Sequence, residues 1–338
     1  MSESTNPRPV LDVIDLVVHF RRRARRDVVR AVDGVSFDVA RGEILALVGE
    51  SGCGKSTIAM AVARLVAPTS GRIVIDGTDV TSVGGRALRA IRRRVQMIFQ
   101  DPFGSLDARQ TVFETVAEPI RIHRLARDPE DRRRRVMAAL DQANLRPPER
   151  LAQRYPHELS GGQRQRVAIA AAMAVGPELV VADEPVSMLD VSARAGVLRL
   201  MMEGRDRLGV SYLFITHDLA TAWVVADRIA VVYLGRIVEI GPSPELVAHP
   251  AHPYTSALLA VAGGEEHDGP VLPGEAPSAA AVPSGCRFHP RCPRYVLAGE
   301  PAICRDEDPT LHIRGAGTGP AHRVACHLAQ QDPMEETK

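Results

Sequence analysis

Four short, strongly apolar runs, at residues 44–48, 95–99, 179–182 and 212–216, stand among longer amphipathic stretches. Runs of this length without sustained polar alternation predict strands buried on both faces, as in a parallel sheet. Each ends abruptly in glycine or polar residues, so the chain places its candidate chemistry at strand ends. Residues 11–20 alternate well enough to be a separate strand, residues 28–39 supply one or two more, and residues 72–76 another. Between the first two lies the basic run Arg21, Arg22, Arg23, Arg25 and Arg26, which is read as a solvated hairpin tip in preference to a nucleic-acid patch. Residues 58–66 are helical in pattern, and from about 113 to 155 the pattern is helical and strongly basic. That second stretch fits an accessory helical subdomain with an exposed basic face.

The run at 44–48 leads into Gly49, Glu50, Ser51, Gly52, Cys53, Gly54, Lys55, Ser56 and Thr57. A buried strand, a glycine-rich turn and a Lys-Ser-Thr helix start make the order that a phosphate-binding P-loop requires. Glycines let backbone N–H groups turn toward a polyphosphate, and the helix dipole adds positive potential. Lys55 is expected along the β- and γ-phosphates and the Ser56 hydroxyl on the accompanying magnesium. Hydrogen bonds to charged groups of this kind contribute roughly 1.5–3 kcal/mol. Cys53 is read as a tolerated small residue. Phe20 lies before the loop, where its ring either stacks on adenine or packs in a strand.

Three further strand ends carry polar residues. The strand at 95–99 runs into Gln100, placing that side chain toward the phosphates. The strand at 179–182 ends in Asp183 and Glu184: the first suits magnesium held through water, the second can orient or deprotonate an attacking water. The strand at 212–216 delivers His217 to the same level, where it can touch the γ-phosphate. A second glycine-rich helix start, Ser160, Gly161, Gly162 and Gln163, follows Leu159. One chain cannot easily fold both anion-binding starts onto one nucleotide, so this loop is expected to serve a nucleotide held by another copy or a partner. Asp190 is either an N-cap for the next helix or an interface contact.

Composition narrows the setting. The chain has 338 residues, 25% of them charged, with a formal net charge of +1. No global field therefore draws it to nucleic acid or an anionic membrane. Residues 1–9 are polar, and no run of eighteen apolar residues occurs, so a cytosolic setting is expected.

With these residues in place, the chain resembles an ATP-binding cassette (ABC) ATPase over residues 10–262. The resemblance implies an α/β fold: a P-loop NTPase core with an antiparallel β subdomain and a helical subdomain at about 101–175. It implies that Gln100 shares magnesium with Ser56 and Asp183, that Glu184 and His217 act in ATP hydrolysis, and that two cassettes close head to tail over two ATP molecules. Met188 stands in the D-loop where a smaller residue is usual. Residues 95–102, 154–158, 233–239 and 252–255 are similar to the oligopeptide and dipeptide importer ATPases. That implies two permease subunits, a second ATPase subunit (identical or related), an extracytoplasmic solute-binding protein, a place on the cytoplasmic face of the cell membrane, and import of peptides or small solutes such as nickel. The alternative is a soluble cassette acting on nucleic acid or the ribosome. Against it, there are too few residues between the two glycine loops for a long coiled coil, and the chain has a single P-loop.

Residues 263–285 are rich in Gly, Pro and Ala and read as a linker to an extension at 286–338. The extension holds Cys286, Cys292, Cys304 and Cys326. Four thiolates suit a [4Fe–4S] cluster or zinc, although no CxxC pair is present. Resemblance to the C-terminal extension of oligopeptide ATPases, some of which carry a cluster, favours iron. Four metal-free reduced thiols are the other reading.

Overall fold

The structure is a computed structural model and describes residues 8–21, 28–262, 272, 274–314 and 321–329. Most of the arginine run, Arg22 to Arg26, lies outside the described residues. The chain begins with two long antiparallel strands, β1 (Leu11–Arg21) and β2 (Val28–Val39), so the stretch read as one or two strands is one. Strand β3 (Ile44–Val48) then enters the main sheet and helix α1 (Lys55–Val62) leaves it. This helix stops before residue 66, and Arg64 adopts a left-handed φ of 55° just beyond it. Strands β4 (Ser70–Ile75) and β5 (Thr78–Asp79) return to the first sheet, in the order β2-β1-β4-β5.

Helix α2 (Gly85–Arg94) and strand β6 (Val95–Ile98) precede a helical region comprising α3 (Pro102–Ser105), α4 (Val112–Ile122), α5 (Pro129–Gln142), α6 (Pro148–Ala152) and α7 (Gly161–Met173). Its helices are well punctuated. Thr111 and Glu114 close a capping box on α4, Asp128 caps α5 with Pro129 behind it, and Ser160 and Gln163 close a box on α7. Strand β7 (Leu179–Asp183), helix α8 (Val191–Leu208), strand β8 (Ser211–Thr216), helix α9 (Leu219–Val225) and strands β9 (Arg228–Tyr233) and β10 (Arg236–Pro242) complete the main sheet. Helices α10 (Ser243–Ala248) and α11 (Pro253–Ala262) follow.

The extension adds helices α12 (Pro293–Leu297) and α13 (Ile303–Asp306) and two short strands, β11 (His312–Ile313) and β12 (Arg323–Val324). These strands join the main sheet, whose order is β11-β12-β10-β9-β3-β8-β7-β6, with β12 pairing antiparallel to β10 at Glu239↔Val324. Phe288, Cys292, Tyr295, Cys304 and Cys326 belong to the same buried cluster as Tyr212, Phe214 and Tyr233, so the extension shares the core of the main sheet.

Strands β6, β7, β8, β3 and β9 run parallel, and β3 is buried at every position. Alternate residues feed opposite layers: Ala46, Val180, Phe214 and Val231 face the helices, while Leu45, Val181, Leu213 and Val232 face α1 and the β1–β2–β4 sheet. Both faces are covered, so the carboxyl ends of the strands are the open ground for a ligand.

Candidate nucleotide site

The turn after β3 is fixed by close backbone approach. Gly49, at φ 159°, would place a Cβ 2.2 Å from the Val232 carbonyl oxygen; Gly54, at φ 109°, would place one 2.2 Å from that of Ala31. Neither contact admits a side chain. Lys55 is buried, and its Nζ donates to the carbonyl oxygens of Gly49 at 2.7 Å and Glu50 at 2.9 Å. A buried ammonium held by groups of its own loop is ready to exchange them for an anion. Cys53 is buried with its sulfur 3.7 Å from Lys55 Nζ, as suits a small residue filling the turn.

Ser56 Oγ donates to Asp183 Oδ1 at 3.1 Å, bringing the start of α1 to the end of β7. Burial raises the Asp183 carboxyl above the usual carboxylate range; the Ser56 hydrogen bond opposes that shift and the charge of Glu184 adds to it. A divalent cation between these groups would relieve the burial cost, so the donor set fits magnesium. Glu184 sits at φ 46° with its N–H donating to the Ile215 carbonyl at 2.9 Å. That left-handed turn lets adjacent carboxylates face one site instead of opposite sides of the strand.

Gln100 Nε2 donates to Glu184 Oε2 at 3.0 Å, and His217 Nδ1 lies 3.2 Å from the same oxygen. Four strand ends therefore meet: Lys55 and Ser56 beyond β3, Gln100 beyond β6, Asp183 and Glu184 at β7, and His217 beyond β8. Gln100 reaches Glu184, whereas the described contact between Ser56 and Asp183 joins the other two of the three residues expected around magnesium.

The remaining candidates make other contacts. Phe20 is 41% exposed near the end of β1, opposite Val29. Ser160 and Gln163 cap their own helix, and α7 packs on α3, α4, α5, β6 and α8, whereas α1 packs on β2, β7 and β8. Gly162 has a reason of its own, since a Cβ there would stand 2.9 Å from that of Ala193 on α8. Asp190 is an N-cap, accepting from Ala193 N at 2.9 Å and Ser192 Oγ at 2.7 Å. Beside it Met188 and Val191 are exposed, at 56% and 82%.

Two residues reach the phosphate loop that the sequence reading did not place there. Tyr254 Oη accepts from the Glu50 N–H at 2.8 Å, and Arg291 pairs with the Glu50 carboxylate through Nη1 at 2.9 Å and Nη2 at 3.2 Å. Arg291 is 241 positions from its partner, a separation that no local pattern reveals.

The four extension cysteines are free and share one neighbourhood. Burial, and then charge on its fellows, pushes the Cys286 thiol up to about 12, and Cys292, Cys304 and Cys326 are also raised, chiefly by burial. Cys292 Sγ caps α12 by accepting from Tyr295 N at 3.4 Å. Among the described residues no group of three or more His, Cys, Asp or Glu side chains is arranged to hold a metal ion. The donor chemistry of the expected iron–sulfur or zinc site is present, and burial disfavours the thiolate form that a metal needs.

Comparison with known proteins identifies the family. A family model for the ABC transporter matches residues 32–187, and one for the oligopeptide/dipeptide transporter C-terminal region matches residues 238–297. The chain is 43% identical to the oligopeptide transport ATP-binding protein AppF of Bacillus subtilis over 96% of this chain and 99% of that protein. It is 46% identical to the di/tripeptide transport ATP-binding protein DppF of Pseudomonas aeruginosa over 90% and 91%. Among solved structures, an ATP-binding cassette dimer in a post-hydrolysis state with ADP and phosphate aligns at TM-score 0.63 and 30% identity, covering 69% of this chain and 98% of that one. The cassette cbiO1 of Clostridium perfringens, part of the ABC transporter complex cbiONQ, aligns at TM-score 0.63 and 27% identity, covering 72% and 92%. The chain belongs to the ABC transporter family, as one of its ATP-hydrolysing cassettes.

Proposed function

We propose that this cassette drives a peptide importer, closing on a second cassette when ATP binds and reopening after hydrolysis. The observation that carries the chemistry is the meeting of Gln100 and His217 on one oxygen of Glu184, beside the Ser56–Asp183 pair. Lys55 gives up its loop carbonyls to hold the phosphates, and Ser56 and Asp183 would hold magnesium. Magnesium, when bound, supplies neutralisation of charge on the transferring phosphoryl group. The Glu184 carboxylate orients and deprotonates the attacking water; His217 holds that carboxylate from one side and Gln100 from the other.

The Ser160–Gln163 helix start would complete the site of the facing cassette, with exposed Met188 and Val191 flanking Asp190 at the same contact. Peptide cargo is supported by the names of the two relatives and by the match of the C-terminal region. Among the described residues no helix is long and apolar enough to cross a membrane, in keeping with permease subunits supplied by other chains and a place on the cytoplasmic face. A cluster or zinc on Cys286, Cys292, Cys304 and Cys326 enters no step here; iron, sulfide and zinc analysis of the purified chain tests it.

The test of the whole reading is purification from the native cells in mild detergent with ATP and magnesium, followed by mass spectrometry. Two permease subunits, a second ATPase and an extracytoplasmic binding protein are expected. Recovery with ribosomes or DNA instead would overturn it.

A further inference from the structure

Glu50 stands inside the phosphate loop, and all its polar groups are engaged. Its N–H goes to Tyr254 Oη at 2.8 Å. Its carbonyl accepts from Lys55 Nζ at 2.9 Å and from Cys53 N at 3.3 Å. Its carboxylate takes both prongs of the Arg291 guanidinium. Tyr254 belongs to α11 and Arg291 to the Cys-bearing extension, immediately before Cys292, so two segments beyond the last long strand grip a loop from the start of the fold.

A carboxylate in a loop that must receive a polyanion is an electrostatic liability, because like charges at close range repel strongly where water is scarce. Arg291 answers it: the guanidinium is buried, is always charged, and meets the carboxylate in the two-pronged geometry that lysine cannot reproduce. The buried ring cluster of Tyr233, Tyr254 and Phe288, with centroids 4.8–5.5 Å apart, fixes both grips to the cassette core.

Building on the ATPase reading, we propose that Arg291 is a positioning residue for ATP: it neutralises Glu50 and holds the phosphate loop open, making the extension part of the nucleotide site. The extension then sets nucleotide affinity and leaves chemistry at Glu184 untouched.

The test measures ATP binding and steady-state hydrolysis on the full chain, using the parent, Arg291→Gln, Arg291→Lys and the double variant Arg291→Gln/Glu50→Gln. Expected are an ATP affinity about tenfold weaker for Arg291→Gln, with KM raised to match and kcat within about twofold, and a smaller loss for Arg291→Lys. Adding Glu50→Gln to Arg291→Gln should restore most of the affinity, because the uncompensated charge is gone; loss of packing alone would not be rescued this way. Parental affinity in Arg291→Gln, or no rescue in the double variant, overturns the proposal. If Arg291→Gln does not fold, parental affinity in Arg291→Lys overturns it instead. A parent chain that binds no ATP would overturn the ATPase reading as well, which separates the two failures.

Discussion

Gln100 donates its side-chain N–H to Glu184 across 3.0 Å, tying the end of β6 to the end of β7. Gln100 opens the connection to the helical region that carries the Ser160–Gln163 loop, and Glu184 also meets His217. Any movement of the helical region against the sheet therefore loads the residue proposed to handle the attacking water. Such a linkage gives the helical region a way to report its position to the Glu184 carboxylate.

Removing the charge of Glu184 while keeping its shape should stop chemistry and spare binding. Glu184→Gln is expected to retain ATP affinity within a few fold and to lose hydrolysis by roughly 10²–10⁴, the usual contribution of a general base. ATP should then hold the chain as a dimer, read by light scattering on a sizing column. Hydrolysis at the parental rate would refute the assignment.

His217 is 56% exposed at its side chain and touches Glu184 Oε2 at 3.2 Å, so its loss should leave the fold alone. His217→Ala is expected to lower kcat by about a hundredfold, with KM for ATP nearly unchanged and the thermal midpoint unmoved. A change confined to KM would place the residue in binding instead.

Much of this site was legible because strand ends in a parallel sheet collect chemistry. Short apolar runs at 44–48, 95–99, 179–182 and 212–216 became β3, β6, β7 and β8, and the polar residues after them met in space. Alternation identified β1 even though its pairing with β2 and β4 is irregular near Asp15, which adopts φ 47°. Hidden features depended on long-range pairing. Nothing in the short sequence around Arg323 announces a strand, because β12 is defined by the edge of β10 that it meets. Arg291 reads as one more basic residue until the fold delivers Glu50 to it. Spacing suggested the cysteines as ligands, and the fold packs all four into one core, where burial raises their thiols.

Gly54→Ala tests the cradle itself. The added Cβ would meet the Ala31 carbonyl oxygen at 2.2 Å, and φ 109° is a conformation that side chains rarely adopt. Backbone on both sides leaves nothing flexible to yield, so the loop must shift. A loss of roughly 1–3 kcal/mol in unfolding free energy is expected, together with loss of ATP binding. Denaturant titration and equilibrium binding measure the two, and retention of both would show the turn to be more pliable than its contacts indicate.

His252 makes stability depend on acidity. Its ring is buried, and Nδ1 accepts from Tyr254 N at 3.1 Å, which requires an unprotonated nitrogen there. Burial lowers its pKa to about 4, Glu239 pulling the other way and Arg294 adding to the decrease. In the unfolded chain the ring takes a proton below about 6.5, whereas the folded chain refuses it until about 4. Its contribution is therefore intact above the unfolded value and is lost as pH falls through this window, by about 3 kcal/mol in all. Denaturant titrations of the parent and of His252→Asn between pH 7 and pH 4 isolate the effect, since Glu239, His322 and Arg294 remain in both chains. The difference in unfolding free energy between the two should shrink as pH falls. A constant difference would mean that the buried ring accepts its proton as readily as an exposed one.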